Sequence, residues 1–127
     1  MRQSDQLDAL AAALVEAQKE MPSIEKDATG HGYRYASLDN IMSKVRPVLA
    51  AHGLAVVQQP ASQDADAMGL TTRLIHSSGQ WIEETVHAPR DEGQRRNSVQ
   101  AAGSTITYLR RYGIAALLGL ADESDTD

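Results

Sequence analysis

Apolar residues recur at helical spacing in the first part of the chain and alternate with polar residues further on. A first helix is predicted after Ser4, which can cap it, and Pro22 ends it one residue after Met21. Its buried side would carry Leu7, Leu10, Leu14 and Ala17. Residues 23–35 contain two glycines and mixed charge, and they are predicted to form a loop.

A second helix is predicted from Ser37 to Gly53, where glycine can end it. One side of this helix carries Ile41, Val45, Val48 and His52. Pro47 falls inside the segment. Because proline lacks the amide hydrogen that a helix uses, we expect a kink or an assembly of two short pieces.

The hydrophobic period changes after Gly53. Three stretches rich in Val, Thr, Ile, Leu and Trp follow, at residues 54–60, 67–76 and 80–89. One face of the second stretch carries Leu70, Thr72, Leu74 and His76. The segment from His76 to Gly79 fits a tight hairpin turn in which glycine supplies the unusual backbone angle. The three stretches predict an antiparallel meander, followed by a flexible charged connection at residues 90–96.

A third, long helix is predicted to open at Asn97, which forms a capping-box pattern with Gln100, and to run toward Gly119. Its predicted buried face consists of Ile106, Leu109, Gly113, Ala116, Leu117 and Leu120. The element order is therefore α-α-β-β-β-α. We predict an α+β fold in which an antiparallel three-stranded β-meander packs against the long C-terminal helix, with the other helices N-terminal to it.

Length and composition fit one domain. The chain has 127 residues, of which 42% are hydrophobic, and it has no cysteine. We expect a single domain over residues 1–121 and an acidic tail at residues 122–127. No run approaches the roughly 18 apolar residues of a membrane span, so we expect a soluble intracellular protein with no membrane partner.

The net charge of -5, taken alone, argues against a nucleic-acid partner. The distribution of charge changes this inference, because acidic residues gather near the N-terminus and in the tail. Residues 93–121 contain no acid and four arginines, namely Arg95, Arg96, Arg110 and Arg111. A basic segment therefore lies inside an acidic chain.

Two tyrosines flank the second arginine pair. Helical geometry places Ser104, Thr107, Tyr108 and Arg111 opposite the buried face, with Arg110 and Tyr112 on its flanks. An arginine guanidinium can donate two hydrogen bonds to phosphate oxygens, and aromatic rings stack on unpaired bases. One interpretation is therefore nucleic-acid binding. The other is structural, with buried tyrosines bonded through their hydroxyls and arginines paired with Asp122 and Glu123.

Tyrosine and arginine interleave again at Tyr33, Arg34 and Tyr35. In an extended segment both rings would lie on one side and Arg34 on the other. The alternative is a loop that the two tyrosines pin to the core. All four tyrosines lie beside an arginine or one residue from one, which favours a stacking surface.

The motifs of common enzymes are missing from the sequence. There is no Walker loop, and His31, His52, His76 and His87 are scattered singly without metal-binding spacing. The end ADESDTD offers carboxylates for a two-metal nuclease, but such sites need rigid elements, so a solvated tail is favoured. We expect no catalytic site, no metal and no cofactor.

The stretch GSTITYLRRYGIAALLGLADESD closely resembles the signature of the ERF family of phage single-strand annealing proteins. The matching residues are Gly103, Ser104, Thr107, Tyr108, Arg111 and Tyr112, then Asp122, Glu123 and Asp125. Residues 32–54 resemble a second block of that family, and residues 74–81 resemble its central hairpin. Leu109 departs from the pattern, where a smaller residue such as alanine is expected.

The resemblance implies a recombinase that coats single-stranded DNA and pairs complementary strands without ATP. It also implies homo-oligomeric rings or filaments in the cytoplasm of a bacterial host cell, with a host or phage single-strand-binding protein as a further partner. The expected DNA-binding residues are Arg110, Arg111, Tyr108, Tyr112, Thr107, Ser104, Arg95, Arg96, Arg34 and Tyr33. A rival expectation is an oligomeric scaffold that binds protein rather than DNA.

Overall fold

The computed structural model describes residues 1–30, 32–64, 67–89 and 98–120, and their side chains except at 62–64 and 98–102. The fold is α+β. Its elements in chain order are β1 (Arg2–Gln3), α1 (Asp8–Lys19), β2 (Ala28–Gly30), β3 (Tyr33–Tyr35), α2 (Leu38–Ala51), β4 (Leu54–Asp64), β5 (Ala67–His76), β6 (Trp81–Pro89) and α3 (Ser98–Leu118).

The main sheet has four antiparallel strands in the order β1-β6-β5-β4. The predicted meander exists as β4, β5 and β6, and the turn at Gly79 is confirmed, with its amide donating to the His76 carbonyl at 2.8 Å. The prediction of only three strands is wrong, because Arg2 and Gln3 pair with Glu83 and Ile82. Two exposed residues carry no hydrophobic period, so β1 left no pattern to detect.

The predicted cap of the first helix is also wrong. Helix α1 begins at Asp8, and Leu7 in the N-cap position before it makes no side-chain hydrogen bond to the helix. The Ser4 hydroxyl instead accepts from the Trp81 amide at 3.0 Å, which ties the N-terminal segment to β6. The side chain of Gln80 reaches the helix start and accepts from the Leu10 amide at 2.9 Å.

Strands β2 and β3 form a two-stranded antiparallel hairpin where a loop was predicted. Gly30 pairs with Tyr33, and a Cβ on Gly30 would lie 2.7 Å from the Tyr33 ring, so glycine lets the ring lie across the backbone. Strands of three residues are too short to show a period.

The second helix is confirmed, with the Ser37 hydroxyl accepting from the Asn40 amide at 3.1 Å and Gly53 at φ 69° beyond its end. Pro47 lies within a single helix, so of the two expected alternatives, a kink or an assembly of two short pieces, the second is wrong. Pro47 and Ser43, whose carbonyl loses its helical donor, are both exposed, so water can hydrate that carbonyl.

The predicted buried face of α3 is correct at Leu109 and Gly113 but wrong at Ala116, which is exposed. It also misses Ile114 and Leu118, which are 0% and 1% exposed. The helix is buried on two sides. A Cβ on Gly113 would lie 2.5 Å from the Thr72 hydroxyl of the sheet, whereas Ile114 and Leu118 join the core with residues of α1 and α2. The expected cap Asn97 lies outside the described residues.

Candidate nucleic-acid interface

A cleft of about 760 Å³ separates the β2–β3 hairpin from the N-terminal half of α3 and the end of β6. We call it the Tyr–Arg cleft. Its lining consists of Thr29, Gly30, Tyr33, Tyr35, Ala88, Pro89, Gly103, Ser104, Thr105, Thr107, Tyr108 and Arg111. The two interleavings of tyrosine and arginine in the sequence therefore meet in one place.

Arg111 joins the two walls of the cleft. Its guanidinium carbon lies 4.1 Å from the centre of the Tyr35 ring and 6.0 Å from that of Tyr108. Both distances fall within the range of cation–π attraction. A planar cation held over an aromatic face keeps its N–H groups directed toward the edges, where they can meet an anion.

The tyrosines of the hairpin behave as the alternation predicted. The Tyr33 and Tyr35 ring centres lie 5.5 Å apart with a tilt of 39°. Arg34 donates instead to the Lys26 carbonyl at 2.6 Å and does not line the cleft. Tyr35 is half-buried beneath Arg111, which favours its structural role, whereas Tyr33 is 55% exposed and presents an aromatic surface.

Tyr108 and Tyr112 are also exposed, at 50% and 52%. The structural interpretation that tyrosines on α3 are buried is therefore wrong for both. Their rings form a pair with centres 6.3 Å apart and planes 24° apart. Two exposed rings on one helix face offer the kind of platform on which unpaired bases stack.

Hydroxyl groups complete the helix wall of the cleft. Thr107 is exposed, and its hydroxyl donates to the Gly103 carbonyl at 3.0 Å. Ser104 is half-buried beside it. Both predicted residues are therefore in the cleft, although the Thr107 hydroxyl hydrogen is committed to the helix backbone.

Arg110 diverges from Arg111 and lies on the β4 flank. Its Nε donates to the Gln58 amide oxygen at 3.1 Å, while the Gln58 nitrogen donates to the Arg110 carbonyl at 3.1 Å. The same nitrogen donates to the Thr72 hydroxyl at 3.0 Å. Arg110 thus helps fasten α3 to the sheet and does not line the cleft.

The remaining predicted residues fall outside the structural description. Arg95 and Arg96 lie in residues 90–97, and the acidic tail lies in residues 121–127. In the described ranges, Arg110 and Arg111 form no ion pair with a carboxylate.

The charge inside the Tyr–Arg cleft is positive as far as its described lining extends, with Arg111 present and no aspartate or glutamate. At the base of the hairpin, Asp27 accepts from the Ser37 amide at 2.7 Å and from its hydroxyl at 2.9 Å. These hydrogen bonds, with a smaller contribution from Arg34, lower the pKa of Asp27. The carboxylate therefore stays ionised and anchors the hairpin to the start of α2.

The sequence did not predict which other residues form the walls of the cleft around these side chains. Gly30 and Pro89 contribute shape rather than charge, and neither carries a chemical signal in the sequence. The placement of Pro89 beside Tyr108 depends on how β6 and α3 pack, which no local pattern encodes.

Across residues 1–30, 32–64, 67–89 and 98–120, no group of three or more His, Cys, Asp or Glu residues is placed to hold a metal ion. No helix in the same part of the chain is both long and apolar enough to span a membrane.

The chain matches a known protein family. A family model described as ERF superfamily matches residues 10–127, nearly the whole chain. No curated protein and no solved structure matches the chain.

Proposed function

The chain belongs to the ERF superfamily of annealing-type recombination proteins, and from that premise we propose that it binds single-stranded DNA as an oligomer and anneals complementary strands without ATP. The observation that carries the proposal is the meeting of the half-buried Tyr35 and the exposed Tyr33 and Tyr108 with Arg111 in the Tyr–Arg cleft. The rings come from two segments far apart in sequence, and the cleft has a positive described lining.

The chemistry of the cleft suits a single strand better than a duplex. Arg111 supplies N–H donors for a phosphate, while Tyr33 and Tyr108 supply aromatic faces for bases. Bases in a duplex are already stacked and paired, and so cannot lie on these rings. Each base that stacks on a ring contributes about 1–3 kcal/mol.

Annealing requires that the bound bases remain able to pair with a second strand. A base that stacks through its face keeps its hydrogen-bonding edge open to a second strand. Contacts to phosphate also reduce the repulsion between two strands, and their strength falls as salt rises. Stacking and charge neutralisation together therefore suffice for pairing without an energy source. Arg95 and Arg96 are expected to add phosphate contacts, although both lie outside the described residues.

Oligomerisation reconciles this function with a net charge of -5. One cleft with one described arginine binds weakly, but many clefts along one strand bind tightly because each further contact is intramolecular. Strand β4 ends the main sheet on one side and is an edge available for assembly. A ring or filament would thus place successive clefts along the DNA.

The rival function is a scaffold that binds protein, and a specific contact supports it. Arg111 over Tyr35 also fastens the hairpin to α3, which a purely structural role would explain. The scaffold predicts that Arg111 matters for stability and that single-stranded DNA is not bound.

The test measures binding of a labelled oligo-dT and its duplex counterpart across a salt series, with light scattering to follow particle size. Wild type should prefer the single strand, and Arg111→Ala should weaken affinity about 10- to 150-fold, since hydrogen bonds to charged groups contribute about 1.5–3 kcal/mol. It should also reduce the salt dependence.

The matched control is Arg46→Ala, because Arg46 is an exposed arginine on α2 away from the cleft. It should leave affinity and salt dependence close to wild type. Equal effects of the two substitutions would mean that only net charge matters. Well-folded oligomers that bind no single strand would support the scaffold.

A further inference from the structure

A second groove adjoins the Tyr–Arg cleft on the β6 side of α3. It has a volume of about 390 Å³, and we call it the β6 groove. Its lining consists of Val86, His87, Ala88, Pro89, Tyr108, Leu109 and Tyr112. Tyr108, Ala88 and Pro89 line both spaces, so the two are continuous and one exposed tyrosine stands between them.

The surroundings of Tyr108 differ on its two sides. The Arg111 guanidinium lies 6.0 Å from its ring centre toward the cleft, and the Tyr112 ring centre lies 6.3 Å away toward the groove. Leu109, which is 2% exposed, contributes an apolar wall to the groove. The cleft side of Tyr108 therefore offers a cation and an aromatic ring, whereas its groove side offers an aromatic ring and an apolar wall.

We propose that a bound single strand crosses Tyr108, with one base in the Tyr–Arg cleft and the next in the β6 groove, so that the Tyr108 ring separates neighbouring bases. This inference rests on the proposed binding of single-stranded DNA. It makes Tyr112 and Val86 part of the binding surface, and it directs the strand along β6 and away from the β4 flank where Arg110 lies.

An aromatic ring placed between two bases changes how those bases stack. Neighbouring bases are about 3.4 Å apart along a strand, so an aromatic ring between them replaces their mutual stacking by two ring–base contacts. Aromatic and apolar side chains inserted between bases act in this way in other nucleic-acid complexes. Separated bases expose their pairing edges, which is the state that an annealing protein must hold.

The lining of the β6 groove favours a base as its occupant. None of its described lining residues is Asp, Glu, Lys or Arg. A phosphate therefore finds no fixed cation there, whereas a base finds the exposed Tyr112 ring and the buried Leu109. Phosphate contacts fall to Arg111 in the adjoining cleft.

The experiment uses Tyr112→Ala, Tyr112→Phe and Val86→Phe, because Val86 and Tyr112 line the β6 groove but not the Tyr–Arg cleft. Affinity for oligo-dT is measured across salt, and the exciton circular dichroism of two adjacent 2-aminopurines in the oligonucleotide reports base stacking. Thermal unfolding checks that each variant folds. The control Val15→Ala changes an apolar residue of α1, 57% exposed, that lines neither space.

The expected results separate stacking from charge. Binding to wild type should reduce the exciton signal, and Tyr112→Ala should lower affinity about 5- to 150-fold without changing the salt dependence. Tyr112→Phe should recover most of that loss because it keeps the ring. Val86→Phe should weaken binding by filling the groove, and Val15→Ala should bind as wild type does.

Three outcomes would overturn the proposal in distinguishable ways. If wild type binds while folded Tyr112→Ala and Val86→Phe keep its affinity and exciton change, the strand does not enter the groove, although DNA binding stands. If those variants change particle mass but not DNA affinity, the groove belongs to a neighbouring copy. If wild type binds no single strand, the proposed function fails first and this inference with it.

Discussion

In the part of the chain that the structure describes, arginine lies over an aromatic ring in two regions, and the two regions differ in their carboxylates. In the Tyr–Arg cleft, Arg111 lies over Tyr35 at 4.1 Å, and the described lining contains no carboxylate. On the main sheet, Arg73 lies over Trp81 at 3.7 Å, and both Arg73 and Arg2 bind Glu83 with N–O distances of 2.9 Å. Glu83 is only 6% exposed.

This difference shows that stacking of arginine on an aromatic ring does not by itself identify a binding site. Around Glu83 the donors of both arginines already have an internal acceptor, so the cluster fastens β1 and β5 to β6. In the cleft, Arg111 has no such acceptor among the described residues, and its charge remains available to an outside anion. The carboxylate therefore distinguishes a structural cluster from a candidate interface.

The largest expected effect comes from removing that carboxylate. Glu83→Gln should lower the free energy of unfolding by about 2 kcal/mol. This loss is smaller than the usual cost of breaking a fully buried ion pair, because Arg2 is largely exposed. Chemical denaturation measures this change. Affinity for single-stranded DNA should stay close to wild type in the folded variant.

The matched variant for this prediction is Glu84→Gln, since Glu84 is the next residue of β6 and is exposed. It should change stability much less than Glu83→Gln does. A loss of DNA affinity in Glu83→Gln under conditions where it is folded would contradict the separation of the two regions.

A smaller effect is expected when a carboxylate is added to the cleft. Thr107→Glu puts an acid one helical turn before Arg111, an arrangement that favours an ion pair on a helix. It should lower affinity for single-stranded DNA about 10-fold and weaken the salt dependence, with little change in thermal unfolding. The measurement is the same oligo-dT titration across salt.

Thr107→Gln is the control, because it has the size of glutamate without the charge. It should bind much more tightly than Thr107→Glu. If both variants bind equally, the change in affinity comes from the lost hydroxyl or the added volume at residue 107, not from the carboxylate charge. The role that Glu83 has beside Arg73 would then not apply to a carboxylate beside Arg111.

Local patterns predicted the elements that have many residues and a clear period. Helix α2 was placed from its Ser37 cap to Gly53, and the strands of the meander from their alternation. Strand β1 and the β2–β3 hairpin were missed because two or three residues carry no period. Ile114 was missed because a helix packed on both a sheet and neighbouring helices has no single buried face.

The candidate site was predictable in its chemistry but not in its assembly. Tyr33, Tyr108 and Arg111 stand out by residue type, and they do meet in one cleft. Arg110 has the same residue type and the adjacent position, yet Gln58 holds it on another flank. Which arginine enters the cleft depends on contacts between β4 and α3, which are distant in sequence.

The smallest expected effect concerns the carboxylate that supports the hairpin wall of the cleft. The Ser37 amide and hydroxyl lower the pKa of Asp27, so its stabilising contribution is present above the ordinary carboxyl pKa and is lost as pH falls through the lowered folded value. Asp27→Asn should therefore be slightly less stable than wild type at neutral pH, and the two should converge in strong acid. Hydrogen exchange of the Tyr35 and Ser37 amides, together with denaturation at several pH values, measures both effects.

Asp39→Asn is the control, as an exposed acid of α2 outside these hydrogen bonds. A wild-type advantage over Asp27→Asn that persists unchanged into strong acid would show that this carboxylate does not anchor the hairpin through its charge.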